Sequence, residues 1–190
     1  MKKIKIALSV LLLAISAVAF AQSRQGNSYV FNAGKEKARI TFCSADMFRV
    51  RVSKGGKFAP EEHLMQENYT WPAVAVKVTG SKGGTSLSTG KIIVRVSRSP
   101  FKVSVYNAAG KLISADRDGF IHNGDTVGCR KQLMPGEHFF GFGERMDFID
   151  QHNKLLKLNV GRGKDRDNLL GAYNINEANY CPVPFFLSTR

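Results

Sequence analysis

The carboxylate that most resembles a catalytic group is Glu144, which stands beside Arg145 and directly after Gly141-Phe142-Gly143. Hydrolysis of a glycosidic bond needs two carboxyl groups, about 5 to 9.5 Å apart across the sugar. The sequence pattern gives Glu144 no such partner, so we assign no catalytic residue. We expect Glu144 to make a buried structural hydrogen bond instead.

Two clusters of acidic residues and histidine could be taken for metal sites. One consists of Asp147, Asp150 and His152, and the other is Glu61-Glu62-His63. Neither has the second histidine or the defined spacing of a transition-metal site. We therefore predict polar turns at both places, with no metal and no cofactor. Motifs of serine hydrolases, zinc peptidases and nucleotide-binding loops are also missing from the sequence.

The polar stretch near the C-terminus contains a run of basic side chains with two aspartates between them. Its cations are Lys154, Lys157, Arg162, Lys164 and Arg166. The interleaved Asp165 and Asp167 weaken the local positive field, so a solvated loop is expected, centred on Gly161 to Leu170.

Elsewhere, the single tryptophan, Trp71, could either stack on a sugar ring or belong to the core.

The chain as a whole is basic, with 28 Lys and Arg against 15 Asp and Glu and a formal net charge of +13. Residues 1–21 combine a basic start, a short apolar run and the ending Ala19-Phe20-Ala21, which is typical of a cleaved signal peptide rather than a membrane span. We expect an exported protein, periplasmic or extracellular, whose mature chain is residues 22–190. Nucleic acid is then excluded as a partner, which leaves acidic polysaccharide, anionic lipid or a merely solvated surface.

Three cysteines, Cys43, Cys129 and Cys181, allow at most one internal disulfide. They have no CxxC spacing and no metal-finger pattern. Export permits a bridge, but a chain of this size can fold without one. We expect buried free thiols.

The body of the chain alternates apolar and polar residues with a period of two, which indicates β-strands separated by Gly, Asn and Ser turns. The predicted strands are Ala38–Phe42, Phe48–Val52, Val74–Val78, Ile92–Val96, Phe101–Val105 and Lys111–Ile113. In the second of these, the apolar side chains should face the core and both arginines the solvent. Helix is at most a minor component. Strands with one apolar face must pair those faces, so the expected fold is an all-β antiparallel sandwich.

Two motifs resemble one known family. Residues 133–145, with the Gly141-Phe142-Gly143-Glu144 core, and residues 179–190, with Pro184-Phe185-Phe186-Leu187-Ser188, are similar to segments of the N-terminal β-sandwich of glycoside hydrolase family 31. Phe48–Val52 and Ser99–Val105 resemble weaker strand signatures of the same domain. The order and spacing of these segments make the resemblance specific, and together they cover most of the mature chain. It implies a galactose mutarotase-like sandwich.

In that family the sandwich precedes a (β/α)₈ barrel, where two aspartates act as nucleophile and general acid/base on α-glycosides. Such a barrel needs about 250 residues, and neither aspartate motif is present here. The resemblance therefore implies a non-catalytic domain, inactive alone, whose partners are the missing barrel and, through it, a carbohydrate. The expected role is to pack on the barrel and form one wall of the sugar site. The chain would then be incomplete at its C-terminus.

A sandwich loop in this family also contacts substrate, through an aspartate that follows an Asn-Arg pair. The nearest match here, residues 158–162, has Gly161 where that aspartate would stand. Asp165, Arg166 and Asp167 are therefore the candidate substrate-binding residues.

Two other functions remain open on the sequence alone. The chain could be a free-standing carbohydrate-binding module that uses Trp71 or Tyr173 as a stacking platform, or a fragment without function. The uncharged strand Val183 to Leu187 is expected to be exposed without a covering domain, which would favour self-association.

Overall fold

The structure is a computed structural model that describes residues 23–62, 69–145, 148–158 and 181–190. Within these ranges it contains β-strands and no helix, and hence no helix that could cross a membrane. The chain divides into two compact units, Met1–Gln132 and Leu133–Arg190. The expected all-β class is confirmed.

The first unit contains two antiparallel meanders, in which each strand pairs with the next one along the chain. The four-stranded sheet consists of β1 (Ser23–Gln25), β2 (Ser28–Ala33), β3 (Glu36–Phe42) and β4 (Phe48–Val52). The five-stranded sheet consists of β5 (Lys77–Ser81), β6 (Gly84–Ser88), β7 (Ile92–Arg98), β8 (Phe101–Asn107) and β9 (Leu112–Ala115). A short hairpin of β10 (Ile121–Asn123) and β11 (Thr126–Gly128) follows.

An apolar core lies between the two sheets, because alternate residues of β2, β3, β6, β7 and β8 point inward. The four-stranded sheet contributes Tyr29, Phe31, Ala38, Ile40 and Phe42, and the five-stranded sheet contributes Leu87, Ile92, Val94, Val96, Phe101 and Val103. The rings of Phe31 and Phe101, one from each sheet, lie 6.5 Å apart. The two sheets therefore form the predicted sandwich.

Two of the predicted strands differ from the observed ones for a visible physical reason. The strand predicted from Val74 begins only at Lys77, because Val74 N–H donates instead to the side chain of Asn27 at 3.0 Å. In β4, Val50 is 40% exposed although its neighbours Phe48 and Val52 pack against the core. β4 is the edge strand of its sheet, so the inward direction predicted for Val50 does not bury it.

The three cysteines are free, and their environments differ. Cys43 is buried, whereas Cys129 and Cys181 are exposed. Burial raises the pKa of the Cys43 thiol. The expectation of buried thiols is therefore right for Cys43 and wrong for the other two, since neither lies on a core-facing strand position.

In the second unit, β12 (Phe139–Gly141) pairs antiparallel with β13 (Phe186–Ser188). The pairing joins residues nearly fifty positions apart in sequence. It brings together the two motifs on which the family resemblance rests.

Candidate functional site

The turn that leaves β12 has an unusual backbone. Gly141, Phe142 and Gly143 all have positive φ, at 117°, 70° and 89°. A Cβ on Gly141 would lie 2.8 Å from the Phe185 carbonyl oxygen, and one on Gly143 would overlap the carbonyl oxygen of Cys181. Only glycine fits both positions, which explains why the motif places a glycine on each side of the phenylalanine.

Backbone hydrogen bonds hold this turn against the last strand. Phe142 N–H donates to the Phe185 carbonyl at 2.7 Å, and Glu144 N–H donates to the Cys181 carbonyl at 3.0 Å. At the other end of β12, the His138 N–H donates to the Thr189 hydroxyl at 3.1 Å, and the Thr189 N–H donates to the His138 carbonyl at 3.2 Å. The two glycines let the turn approach the last strand closely enough for these backbone hydrogen bonds to form.

Three phenylalanine rings meet where the two strands pair. The Phe142 ring is stacked on Phe186 at 5.1 Å, with the ring planes 13° apart. Phe139 meets Phe186 edge to face at 5.6 Å. These rings line a cavity of about 310 Å³, together with Gln151, Asn153, Lys154 and Leu156. An aromatic lining with a few polar groups is the usual composition of a small-molecule pocket. We call it the phenylalanine pocket.

Backbone strain concentrates at this pocket. Phe142 and Asn153, at φ 70° and 58°, are the two non-glycine residues with positive φ in the described part of the chain, and both line it. Asparagine tolerates this conformation, but a bulky aromatic residue rarely adopts it. Such strain costs about 1–3 kcal/mol per residue and clusters at functional sites. The backbone therefore marks the phenylalanine pocket as the candidate site.

Buried polar groups fix the strands around the pocket. Glu137 is 7% exposed, and its carboxylate accepts hydrogen bonds from Met134 N–H at 2.9 Å and Ser188 Oγ at 2.5 Å. Gln151 is 5% exposed, and its backbone N–H donates to the Phe139 carbonyl at 2.9 Å. These bonds link the last strand and the segment 150–154 to β12.

Asp150 forms a second polar link on the same segment. Its carboxylate accepts a 2.9 Å hydrogen bond from the backbone N–H of His152, and its other oxygen lies 2.6 Å from His138 Nδ1. The His152 N–H and then His138 lower the pKa of Asp150. An aspartate held in its ionised form accepts hydrogen bonds and positions its neighbours, but it has no proton to give as a general acid at neutral pH.

The residues predicted to bind substrate, Asp165, Arg166 and Asp167, lie outside the described residues, as do Tyr173 and the loop Gly161 to Leu170. Those predictions stay predictions. Trp71 is half-buried, so it is neither a fully covered core side chain nor an open platform.

The buried hydrogen bond expected at Glu144 is a wrong prediction. The Glu144 side chain is exposed, and the buried carboxylate of this unit is Glu137. The only sequence signal at Glu137 was its position after the Pro135-Gly136 turn, and that position does not indicate burial. The phenylalanines of the pocket were missed as well, although the two glycines around Phe142 indicated a constrained backbone.

Each acidic cluster has one member outside the described residues, His63 in one and Asp147 in the other. The Glu61 carboxylate binds Arg49 at 2.9 Å and also Arg51, while Asp150 is bonded to the two histidines described above. In the described ranges, no group of three or more His, Cys, Asp or Glu side chains could hold a metal ion.

The sandwich of the first unit and the strand pair of the second agree with one known family. Residues 37–190 match the glycosyl hydrolase 31 N-terminal galactose mutarotase-like domain. Because the match covers most of the chain, this protein belongs to that family.

Among curated relatives, the isomaltosyltransferase of Sporosarcina globispora is 31% identical over 169 residues, which are 82% of this chain and 14% of the relative. Among solved structures, the family 31 dextranase of Flavobacterium johnsoniae, complexed with isomaltotriose, superimposes with a TM-score of 0.72 at 25% identity, covering 87% of this chain and 20% of the dextranase. An α-xylosidase of Xanthomonas citri, at 20% identity and a TM-score of 0.64, shares the fold. The chain thus spans a fifth or less of the length of these proteins.

Proposed function

We propose that this chain is the non-catalytic N-terminal domain of an exported α-glycosidase, and that its second unit packs on a catalytic barrel and forms one wall of the sugar site. The observation that carries the proposal is the strained phenylalanine pocket in the second unit. Its three rings offer flat apolar faces, while Asn153 and Lys154 offer hydrogen-bond donors. A sugar has both kinds of surface, since its C–H groups are apolar and its hydroxyls are polar.

The exposed apolar side chains of the same unit support the packing role. Phe148, Ile149, Phe185 and Leu187 are 83%, 80%, 62% and 61% exposed. Burying one such side chain is worth roughly 1.5–3 kcal/mol. The four form two close pairs along the chain, and neighbouring exposed apolar groups mark interaction surfaces. The proposed occupant is the catalytic domain, because the relatives are proteins of which this chain matches a fifth or less.

The relatives also suggest the substrate class. One is named an isomaltosyltransferase and another is a dextranase complexed with isomaltotriose. We therefore extend the proposal to α-linked glucose oligosaccharides as substrates of the whole protein.

The reading frame beyond Arg190 is expected to encode a barrel that carries two catalytic aspartates, and a frame without one contradicts the proposal.

The pocket is tested in the full-length gene product with isomaltotriose as substrate. Phe142→Ala removes the stacked ring and is expected to raise KM about tenfold, in line with about 1–3 kcal/mol for loss of an aromatic contact. Leu133→Ala truncates an exposed apolar side chain of this unit that does not line the pocket, so it is the control and should leave KM unchanged. Equal KM values for both variants would refute a role in the sugar site.

The packing surface is tested with the mature chain alone. Without its cover, the chain is expected to self-associate in sedimentation and to show no turnover of chromogenic glycosides. Phe185→Lys with Leu187→Lys should restore the monomer, while Val127→Lys, which replaces an exposed valine of the first unit, should not. Monomeric wild-type protein at the same concentration argues against the surface.

Export is tested separately, by N-terminal sequencing of the protein from the periplasm or medium. The expected first residue is Gln22, after the Ala19-Phe20-Ala21 ending. A product that keeps Met1 contradicts export by cleavage.

A further inference from the structure

The outer face of the five-stranded sheet forms a separate groove in the first unit. In β6, β7 and β8 the apolar residues face the core and the alternate residues point outward. These outward residues line a cavity of about 750 Å³, which is within the roughly 300–1,000 Å³ of ligand pockets. We call it the sheet groove.

The strand register places four polar residues in a row across the sheet groove. Thr79 pairs with Ser86, Ser86 with Arg95, and Arg95 with Ser104. The three hydroxyls make no hydrogen bond within the described part of the chain. A hydroxyl both donates and accepts, so the row presents bonding capacity that the protein leaves unused.

Arg95 lies at the centre of this row and is exposed. Its guanidinium stacks over the Tyr106 ring at 4.3 Å, which orients the planar fork, and it forms no ion pair with a described carboxylate. The carboxylate that does line the groove, Asp116, already binds Lys131 at 2.5 Å and the backbone N–H of Val103 at 2.8 Å. A second cation, Lys102, also lines the groove. The sheet groove is therefore positive at its centre.

We propose that the sheet groove binds an acidic oligosaccharide, with Arg95 holding a uronate carboxylate and the hydroxyl row bonding the sugar hydroxyls. Guanidinium and carboxylate match as a bidentate pair. The Ser and Thr hydroxyls match a ligand that is itself rich in hydroxyls. The groove is assembled by the first unit alone, so this proposal is independent of the phenylalanine pocket and of any catalytic domain.

Isothermal titration of the mature chain with α-1,4-trigalacturonate tests the proposal. The neutral α-1,4-galactotriose is the matched ligand, because it differs in the carboxylates alone. We expect the acidic trisaccharide to bind at least about tenfold more tightly, the effect of one charge-assisted bidentate contact. No binding of trigalacturonate, or equal binding of both sugars, overturns the proposal.

Two variants assign the binding to the groove. Arg95→Gln should weaken trigalacturonate binding about tenfold, while Arg24→Gln is the control, since Arg24 is also an exposed strand arginine over a tyrosine ring, in β1. Equal losses would mean a non-specific charge effect and would overturn the site.

The double variant Ser86→Val, Ser104→Val keeps the charge and suits a β-strand. It should weaken both sugars several-fold if the hydroxyl row bonds the ligand. Circular dichroism and thermal melting verify that each variant is folded before titration. A folded double variant with wild-type affinity refutes the hydroxyl row as part of the site.

Discussion

The two units of this protein differ in the side chains that they bury. In the first unit the described core is apolar, and Ile40, Leu87 and Val94 are fully inaccessible. In the second unit the described buried residues are Glu137 and Gln151, while large apolar side chains such as Phe148 stay exposed. In the described residues, apolar burial is the main stabilising feature of the first unit, and hydrogen bonds and glycine geometry are those of the second.

The difference indicates how far each unit can stand alone. Apolar burial of about 25 cal/mol per Å² is the main favourable term in folding, and the first unit has it. Net hydrogen bonds contribute only about 0.5–1.5 kcal/mol each, so the second unit has less to offset its chain entropy. We expect the first unit to set the global stability and the second to open at lower free energy.

The largest effect is expected from a core truncation in the first unit. Ile40→Ala should lower the free energy of unfolding by the upper part of the roughly 2–5 kcal/mol range for buried isoleucine, because Ile40 has no exposed surface. Urea denaturation measures it. Leu187→Ala, at 61% exposure in the second unit, is the control, and a cost above about 1 kcal/mol there would weaken the contrast.

A smaller and local effect is expected from Gly143→Ala in the second unit. The new Cβ would overlap the Cys181 carbonyl at a φ of 89°, which costs about 2–4 kcal/mol from backbone strain and overlap. Hydrogen exchange should show lost protection in β12 and β13 and unchanged β7. Gly110→Ala, at φ 79° with no atom within 4 Å, should cost only the strain. Equal losses of stability in both variants would contradict the overlap argument.

The buried carboxylate gives the next effect. Glu137→Ala leaves Met134 N–H and Ser188 O–H without their acceptor, at a cost of about 1–3 kcal/mol, read as faster exchange at β13. Glu144→Ala, on an exposed side chain, should change exchange little. A greater effect at Glu144 would reverse the assignment of the structural carboxylate.

The smallest effect is expected from lowering the pH, which should loosen the segment around Asp150. The pKa of Asp150 is lowered, so its contribution is present above the unfolded-state value, about 3.9, and is lost as pH falls through the lower folded value. Amide NMR over roughly pH 2–6, a range that spans that value, should show the segment 150–152 loosening in acid. Asp150→Asn should remove this response.

Glu36 is the internal reference for that experiment. The Gly56 N–H, the Ser53 hydroxyl and the Gly55 N–H lower the pKa of Glu36, so the first unit keeps its own acid response in Asp150→Asn. An unchanged acid profile around residue 150 in the variant would assign the loosening to another group.

Much of the fold could be predicted from local pattern. The alternation in β3, β7 and β8 predicted their positions and inner faces, because side-chain direction along a strand depends only on residue parity. Six strands were missed, namely β1, β2, β6, β10, β11 and β12. Among them, β6 is a run of Gly, Ser and Thr with a single large apolar residue, Leu87, and four have only three residues.

The amino-acid sequence by itself determined the all-β class, the apolar faces and the family, each of which follows from short-range pattern and motif order. Only the tertiary structure decided which carboxylate is buried, where Val74 bonds and why Phe142 is strained. Glu137 meets Ser188 across 51 positions, and Gly143 lies against the Cys181 carbonyl oxygen, beyond the ends of β12 and β13. Such contacts depend on where distant backbone segments lie in space, and no local periodicity encodes that.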